Sequence, residues 1–316
     1  MKQFISVNDL PNVQEFVNKA LEIKKNPFAN NNLGKNKTIG LVFFNPSLRT
    51  RLSSQKAAYN LGANCWVLNA GKDSWQLEMN DGTVMENTQE HVKEAIMVMS
   101  TYCDIIAVRT FPTLVDREQD YSEKIFNKIV QYATVPIVSL ESATRHPLQS
   151  FADLITIEEQ RPKDKKIKVV LTWAPHPKSL PQAVPNSFAE WAPHIPNSEF
   201  VITHPEGYDL APTFVGNSKV EFNQNKALEG ADFVYTKNWS SYLDYGKRLE
   251  VKENWMITKE KMSLTNEGKF MHCLPVRRNI IVADEVIDSK NSIVIKQAYN
   301  RIFSVQTIFQ EILRGL

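Results

Sequence analysis

Hydroxyl and guanidinium side chains alternate in the segment 47–51, which reads Ser-Leu-Arg-Thr-Arg and follows the apolar run 38–43. A buried strand that turns into a helix start points backbone N–H groups and the positive end of the helix dipole at an anion. Arginine adds paired donors that match a phosphate group. The segment therefore predicts a phosphate site, and the alternative is an ordinary serine N-cap with exposed arginines. It contains no glycine, which argues against a nucleotide-binding loop.

Two further sets of hydrogen-bond donors lie beyond this segment. Arg109 ends the apolar segment 103–109, where on its own it would be interpreted as a snorkelling surface arginine. His146 and Gln149 lie about one turn apart around Pro147, a residue suited to the first position of a helix. Both side chains can donate to a carbonyl oxygen, although a helix cap and a solvated glutamine would also explain them.

A thiol lies at the end of another apolar segment, in the sequence His-Cys-Leu-Pro at 272–275. Cys273 could act as a nucleophile only beside a base or a helix N-terminus. A lone cysteine is more often a small buried hydrophobic residue. The other two cysteines, Cys65 and Cys103, are far away in sequence, so we expect neither a disulfide framework nor a metal cluster.

The composition is that of a soluble globular protein. The chain has 316 residues, of which 42% are hydrophobic and 23% charged, with a net charge of +2. This length allows two domains, and the charge gives no reason to expect nucleic acid or an anionic membrane as a partner. No apolar run approaches the ~20 residues of a membrane span. Residues 1–9 show no signal-peptide pattern, so we expect a cytoplasmic protein.

Apolar, β-rich segments alternate with segments of helical periodicity along the chain. Strands are expected at 38–44, 64–69, 103–109, 135–140, 168–173, 199–203, 232–236 and 270–273. Helices are expected at 13–21, 51–61, 89–101, 121–132, 147–160 and 292–315. Strands that alternate with helices predict an α/β fold, because parallel strands need a crossover. We expect two parallel-sheet αβα domains with a cleft between them, and the chemical motifs follow strands, where such sheets bind ligands.

In this order along the chain, the motifs resemble those of the carbamoyltransferase family. Its members share Ser-x-Arg-Thr-Arg, an Arg-Thr/Val-aromatic segment, His-Pro-x-Gln, and His-Cys-Leu-Pro or His-Pro-Leu-Pro. The corresponding segments here are 47–51, 109–111, 146–149 and 272–275. The resemblance implies the aspartate/ornithine carbamoyltransferase fold. It also implies a carbamoyl phosphate-binding domain over 1–146, a domain for the amine substrate over 147–292, and a C-terminal helix, 293–316, that returns to the first domain.

Two departures from the family pattern bear on the amine substrate. Ornithine enzymes carry a Ser-Met-Gly loop before His-Cys-Leu-Pro, whereas residues 235–241 read Tyr-Thr-Lys-Asn-Trp-Ser-Ser. Lys237 would repel a free α-ammonium and suit an α-carboxylate, so the chain resembles the branch that carbamoylates N-acylated ornithine. Its framework resembles the succinyl type, but Glu90 is typical of the acetyl type. A carboxylate there would repel a succinyl carboxylate and could pair with a cation such as Arg278, or it could only cap the following helix.

The resemblance implies a role for each candidate residue and requires no metal or organic cofactor. The catalytic residues would be Thr50, Arg109, His146, Gln149 and Cys273. Carbamoyl phosphate would be bound by these five and by Ser47, Leu48, Arg49, Trp75, Leu274 and Arg301. The acylornithine would be bound by Glu90, Glu141, His176, Lys237, Arg277 and Arg278.

The resemblance further implies arginine biosynthesis as the pathway and a homotrimer with shared active sites, to which the loop carrying Trp75 contributes. Two alternatives stay open at this point. One is carbamoylation of free ornithine, against which the missing Ser-Met-Gly argues. The other is a non-catalytic protein that binds a phosphorylated metabolite, which would not need ligands for both the carbonyl and the amine.

Overall fold

The computed structural model describes residues 1–316, which form two compact units. The first unit comprises Met1–Thr113, Glu118–Leu148 and Arg301–Leu316, and the second comprises Leu114–Arg117 and Gln149–Asn300. The main passages between the units therefore fall after 148 and after 300, whereas the sequence placed them after 146 and after 292.

The first unit contains seven strands: β1 (Gln3–Phe4), β2 (Thr38–Phe43), β3 (Asn64–Asn69), β4 (Leu77–Glu78), β5 (Glu90–His91), β6 (Ile105–Arg109) and β7 (Ile137–Glu141). Five of them form a parallel sheet in the order β1-β7-β6-β2-β3, and β4 pairs with β5. The central strands are rich in Val, Ile and Leu and are buried, as parallel strands covered on both faces require. The register between β6 and β7 shifts at Val108 and Arg109, so that Arg109 lies opposite Glu141.

Helices connect these strands. They are α1 (Val13–Lys25), α2 (Leu48–Asn60), α3 (Val92–Thr101), α4 (Arg117–Tyr121) and α5 (Lys124–Tyr132), and a 3-10 turn covers Val7–Asp9. The apolar face of α1 packs inward through Phe16, Val17 and Ala20, which are buried. The side chain of Asn12 caps this helix by accepting from the backbone N–H of Glu15.

The second unit repeats the alternation. Its strands are β8 (Ile167–Trp173), β9 (Ser198–Thr203), β10 (Lys219–Glu221), β11 (Phe233–Lys237) and β12 (Lys269–Met271). They form a parallel sheet in the order β10-β9-β8-β11-β12. Its helices are α6 (Pro147–Gln160), α7 (Ala183–Trp191), α8 (Pro212–Val215), α9 (Gln224–Leu228), α10 (Lys259–Ser263) and α11 (Asp284–Ile287), with a 3-10 turn at Ala192–His194.

The last helix, α12 (Val294–Leu313), carries many buried polar side chains. Asn300 donates to the hydroxyl of Thr156 on α6 at 2.9 Å. Further along, Gln306 accepts from Asn60 at 2.8 Å and donates to a backbone oxygen at 2.7 Å. These bonds satisfy the polar groups that the helix removes from water.

The predicted fold class is confirmed: both sheets are parallel and flanked by helices. The sequence missed the short strands β1, β4, β5 and β10 and the helices α4 and α7 to α11. Segments of two to five residues carry too little periodicity to be recognised, and this explains all of these except the nine-residue α7.

Candidate active site

The phosphate motif begins helix α2, immediately after strand β2. Ser47 is the N-cap, and its hydroxyl oxygen accepts from the backbone N–H of Thr50 at 3.4 Å. The same hydroxyl donates to Oγ1 of Thr50 at 3.0 Å. No acidic residue occupies the first turn, so no carboxylate of the helix competes for an anion at its positive end. The capping interpretation is therefore correct, and it is compatible with an anion site.

Two arginines from distant parts of the first unit converge on Thr50. Arg301 Nη2 donates to Oγ1 of Thr50 at 2.6 Å, and Arg109 Nη1 donates to the same oxygen at 3.4 Å. Arg109 is 8% exposed, and its Nε is buried without a hydrogen-bond partner. This burial excludes the alternative that Arg109 is a snorkelling surface residue. Buried guanidinium donors aimed at one oxygen can stabilise negative charge on a ligand oxygen there.

Glu141 lies among these donors. Its Oε2 forms a salt bridge with Arg109 and lies 3.4 Å from Nε2 of His146. The register shift between β6 and β7 places Arg109 and Glu141 side by side. The sequence assigned Glu141 to the acylornithine, but the structure groups it with Arg109 and His146, two residues expected to bind carbamoyl phosphate.

The turn between Glu141 and His146 is held by a carboxylate that the sequence did not single out. Glu123 accepts from the hydroxyls of Ser142 and Thr144 at 2.6 and 2.5 Å, and from two backbone N–H groups of the turn. Its own backbone adopts a left-handed conformation, with φ of 51°, which is uncommon for this residue type. Glu123 therefore fixes the loop that positions both flanking side chains.

His146 is buried in the first unit. Burial, together with the positive charges of Arg301 and Arg109, lowers the pKa of His146 well below its usual value of 6.5. The imidazole is therefore neutral near pH 7 and has one N–H to donate. A neutral donor suits a carbonyl oxygen that gains charge during a reaction.

We expect the lowered pKa of His146 to make the protein less stable in mild acid. The unfolded chain binds a proton on this residue below pH 6.5, whereas the folded chain does not. This contribution to stability is retained above pH 6.5 and is lost as the pH falls towards the lowered pKa. Urea unfolding measures the free energy of unfolding at about pH 7.5 and at about pH 5.5. Between these two pH values, His146→Gln should lose less of this free energy than the wild type, by up to about 1 kcal/mol. Equal losses would mean that the folded protein binds the proton.

In the second unit, Gln149 and Cys273 are both buried. Gln149 Nε2 donates to Oδ1 of Asp153 at 2.7 Å. Burial, together with the neighbouring Asp153 and Cys273, raises the pKa of Tyr235 well above its usual value. The backbone N–H of Leu274 donates to Nδ1 of His272 at 2.9 Å. The sequence missed Asp153, although its spacing of four residues from Gln149 places both on one face of a helix.

A second group in this unit is cationic. Nε2 of His176 accepts from Nε of Arg277 at 3.0 Å, and its Nδ1 lies 2.8 Å from the backbone oxygen and 3.0 Å from the backbone nitrogen of Lys178. Burial lowers the pKa of His176, and the charges of Lys237, Arg277 and Lys178 lower it further. These neighbours create a positive environment that suits a carboxylate ligand.

The two adjacent arginines of this unit differ in their partners. Arg278 binds both oxygens of Asp288 at 2.6 Å and Asp284 at 2.9 Å. These two aspartates hold the guanidinium and raise the pKa of Arg278. Arg277 instead contacts His176. Of the two, Arg277 is therefore better placed to bind a substrate carboxylate with the cationic group.

In the first unit, Trp75 and Glu90 form a hydrogen bond across the loop after β3, although the sequence predicted different ligands for them. Trp75 is 50% exposed, and its Nε1 donates to Oε2 of Glu90 at 2.9 Å. Pairing of β4 with β5 brings residues 77–78 next to 90–91 and so closes the loop. The Glu90 carboxylate is held by an indole, and the cap of helix α3 is His91, so the alternative that Glu90 only caps this helix is wrong.

No group of three or more His, Cys, Asp or Glu side chains is arranged to hold a metal ion. No helix has the length and apolarity needed to cross a membrane.

Two family models match the chain in order. The model for the carbamoyl-P binding domain of aspartate/ornithine carbamoyltransferase matches residues 2–159, and the model for the Asp/Orn binding domain matches residues 182–312. The chain is 54% identical over 319 residues to an N-succinylornithine carbamoyltransferase of Bacteroides thetaiotaomicron, with 100% of both chains covered. It is 37% identical to an N-acetylornithine carbamoyltransferase of Xanthomonas campestris pv. campestris over 298 residues, which cover 87% of this chain and 88% of the relative.

Solved structures are similar over nearly the whole chain. An acetylornithine transcarbamylase complexed with acetylcitrulline gives a TM-score of 0.90 at 34% identity and covers 99% of both chains. A variant of N-acetyl-L-ornithine transcarbamylase, with one glutamate replaced by proline, was solved with carbamyl phosphate and N-succinyl-L-norvaline. It gives a TM-score of 0.90 at 34% identity and covers 99% of this chain and 100% of the other.

Proposed function

Because the chain belongs to the aspartate/ornithine carbamoyltransferase family, we propose that it transfers the carbamoyl group of carbamoyl phosphate to the δ-amine of an N-acylated ornithine. The products are an N-acylcitrulline and phosphate. The observation that carries this proposal is the convergence of Arg109 and Arg301 on Thr50 beside the helix start that Ser47 caps. The first unit binds carbamoyl phosphate, and the second unit binds the acylornithine.

The reaction forms a bond between the δ-nitrogen and the carbamoyl carbon and breaks the bond from that carbon to the phosphate oxygen. Ser47, Arg49 and the backbone N–H groups near Leu48 bind the phosphate. Thr50, Arg109, His146 and Arg301 stabilise the carbonyl oxygen as it gains charge. The amine must be neutral to attack, and its ordinary pKa is about 10.4 if it resembles that of lysine. The departing phosphate accepts the proton that the amine loses.

The cationic group of the second unit supports an acylated substrate. Lys237 and Arg277 surround a neutral His176, and this arrangement binds the α-carboxylate of the acylornithine. A free ornithine would bring an α-ammonium into the same positive environment. Gln149, Cys273 and the backbone oxygen of Leu274 orient the carbamoyl amino group and the incoming amine. No step requires a metal or an organic cofactor.

For the acyl group we propose acetyl. Glu90 places a carboxylate beside the indole of Trp75, and a second carboxylate, that of a succinyl group, would be repelled there. N-succinylornithine is the second candidate, because the relative with 54% identity is named for it.

A colorimetric citrulline assay tests this function directly. Carbamoyl phosphate is supplied with N-acetylornithine, N-succinylornithine or free ornithine, and product is measured for each. We expect turnover of N-acetylornithine at least about tenfold faster than that of the succinyl compound. No turnover with any of the three amines would overturn the enzymatic proposal, and preferred turnover of free ornithine would overturn the role of Lys237.

We also propose a homotrimer that acts in the cytoplasm in arginine biosynthesis. Helix α2 exposes Leu48, Leu52 and Tyr59, and the ring of Phe28 lies against Tyr59. Apolar side chains grouped on one exposed surface are typical of an interface between subunits. Sedimentation equilibrium should give the mass of three 36.1 kDa chains; the mass of one chain would contradict the trimer.

A further inference from the structure

The side-chain amide of Gln149 is buried, and only one of its two polar atoms has a hydrogen-bond partner. The residue lies in the first turn of α6 and is 1% exposed. Its Nε2 donates to Oδ1 of Asp153 at 2.7 Å, whereas its Oε1 is buried without a hydrogen-bond partner. A buried acceptor without a partner is costly, so proteins retain one mainly where a ligand completes it.

The orientation of this amide follows from its neighbours. The backbone N–H of His272, which can only donate, binds Oε1 of Gln297 at 2.9 Å. The Nε2 of Gln297 must therefore face the other way, and it donates to Oδ1 of Asp153 at 2.7 Å. Asp153 is completely buried and accepts from both amides at one oxygen. A carboxylate oxygen has two lone pairs for two such donors.

The result is a chain of donors and acceptors with a fixed direction. It begins at a backbone N–H, passes through Gln297 and Asp153, and ends at the free oxygen of Gln149. Reversing the Gln149 amide would place its oxygen against the carboxylate of Asp153, and two acceptors repel each other.

We propose that Asp153 is a positioning residue: it fixes the Gln149 amide so that the oxygen, and not the nitrogen, is available for the contact with the carbamoyl amino group that the proposed function gives to Gln149. The inference rests on the proposed function for the identity of the substrate. The amide nitrogen of Gln149 is directed at Asp153, so it does not take the role of donor to a carbonyl oxygen that the sequence first allowed.

Acetyl phosphate is a suitable probe, because it has a methyl group where carbamoyl phosphate has the amino group. We expect the wild type to bind carbamoyl phosphate more tightly than acetyl phosphate, as measured by calorimetry. In Asp153→Leu the preference should fall by about tenfold, because the freed amide no longer presents its oxygen reliably. Asp153→Asn retains an oxygen that accepts from both glutamines, and it should restore most of the preference. Binding of inorganic phosphate should be unchanged in both variants.

A mutant cycle separates positioning from general damage. If Asp153 acts through Gln149, then Asp153→Leu should have no further effect on the preference in a Gln149→Leu background. Thr156→Val is a matched control, since it removes a buried hydroxyl of the same helix that bonds Asn300. Equal loss of preference in this control, or an unchanged preference in Asp153→Leu, would overturn the inference.

If Asp153→Leu does not fold, a second pair of variants tests the same role of Asp153. In Gln149→Glu, two carboxylates must share a proton, so turnover relative to that of the wild type should fall as the pH rises. Adding Asp153→Asn removes that need, and the pH dependence should return to that of the wild type. The same profile in both variants would overturn the role of Asp153. If the wild type does not transfer a carbamoyl group, the proposed function is refuted. If the wild type is active and these variants show no effect, only the positioning role of Asp153 is refuted.

Discussion

Replacing Arg109 with leucine is expected to lower kcat/KM for carbamoyl phosphate by about a thousandfold, in line with the loss of a buried donor to a developing oxyanion. The reason is geometric: Arg109 reaches Thr50 from a buried strand end, and its Nε is still free to bind a ligand. Steady-state kinetics at varied carbamoyl phosphate measures the effect. Arg314→Ala removes an exposed arginine of the same unit and should leave kcat/KM unchanged.

This substitution also leaves Glu141 buried without one of its partners. An uncompensated buried carboxylate costs roughly 3–5 kcal/mol, so the single variant should be less stable than the wild type. The double variant, with Glu141→Leu added, should regain stability while its kcat/KM stays low. Recovery of activity in the double variant would show that the defect came from the orphaned carboxylate and would contradict the oxyanion role of Arg109.

Replacing Glu90 with proline is expected to reverse the preference for the acyl group. Removing the carboxylate abolishes its repulsion of a succinyl group, and the succinyl compound should gain at least about tenfold in kcat/KM relative to the acetyl compound. The ratio of the two kcat/KM values for the acylornithines, measured in the wild type and the variant, provides the test.

Two further variants separate charge from backbone in this experiment. Glu90→Gln keeps an oxygen for the indole of Trp75 but removes the charge, so it should give part of the gain. Glu86→Gln removes an exposed carboxylate of the same loop and should change neither value. If the preference is the same in Glu90→Pro and in the wild type, Glu90 does not determine the acyl group.

The fold was predictable because its signals are long and repeated. The central strands are continuous apolar runs, and each helix between them carries its own period, so alternation alone implied parallel sheets. Strand β1 could not be predicted in this way, since it is only two residues long and its partners in β7 are 134 residues away in sequence. Its existence depends on the sheet that it joins.

The candidate site residues that belong to the first unit were predictable for a related reason. Ser47, Thr50 and Arg109 follow strand ends, which meet at one edge of a parallel sheet. Glu141 also follows this rule, but its grouping with Arg109 depends on a register shift that no local pattern indicates. Asp153 was missed because a carboxylate four residues along a helix is usually solvated.

Leu48 occupies the second position of the motif Ser-x-Arg-Thr-Arg, and its side chain is 68% exposed while Ser47 and Thr50 bond to each other. A helix start binds an anion through main-chain amides, which every residue except proline supplies. The second position of the motif thus carries little information about substrate and can drift under other pressures, such as subunit packing. A sequence search that requires a hydroxyl there would overlook this chain and others with the same chemistry.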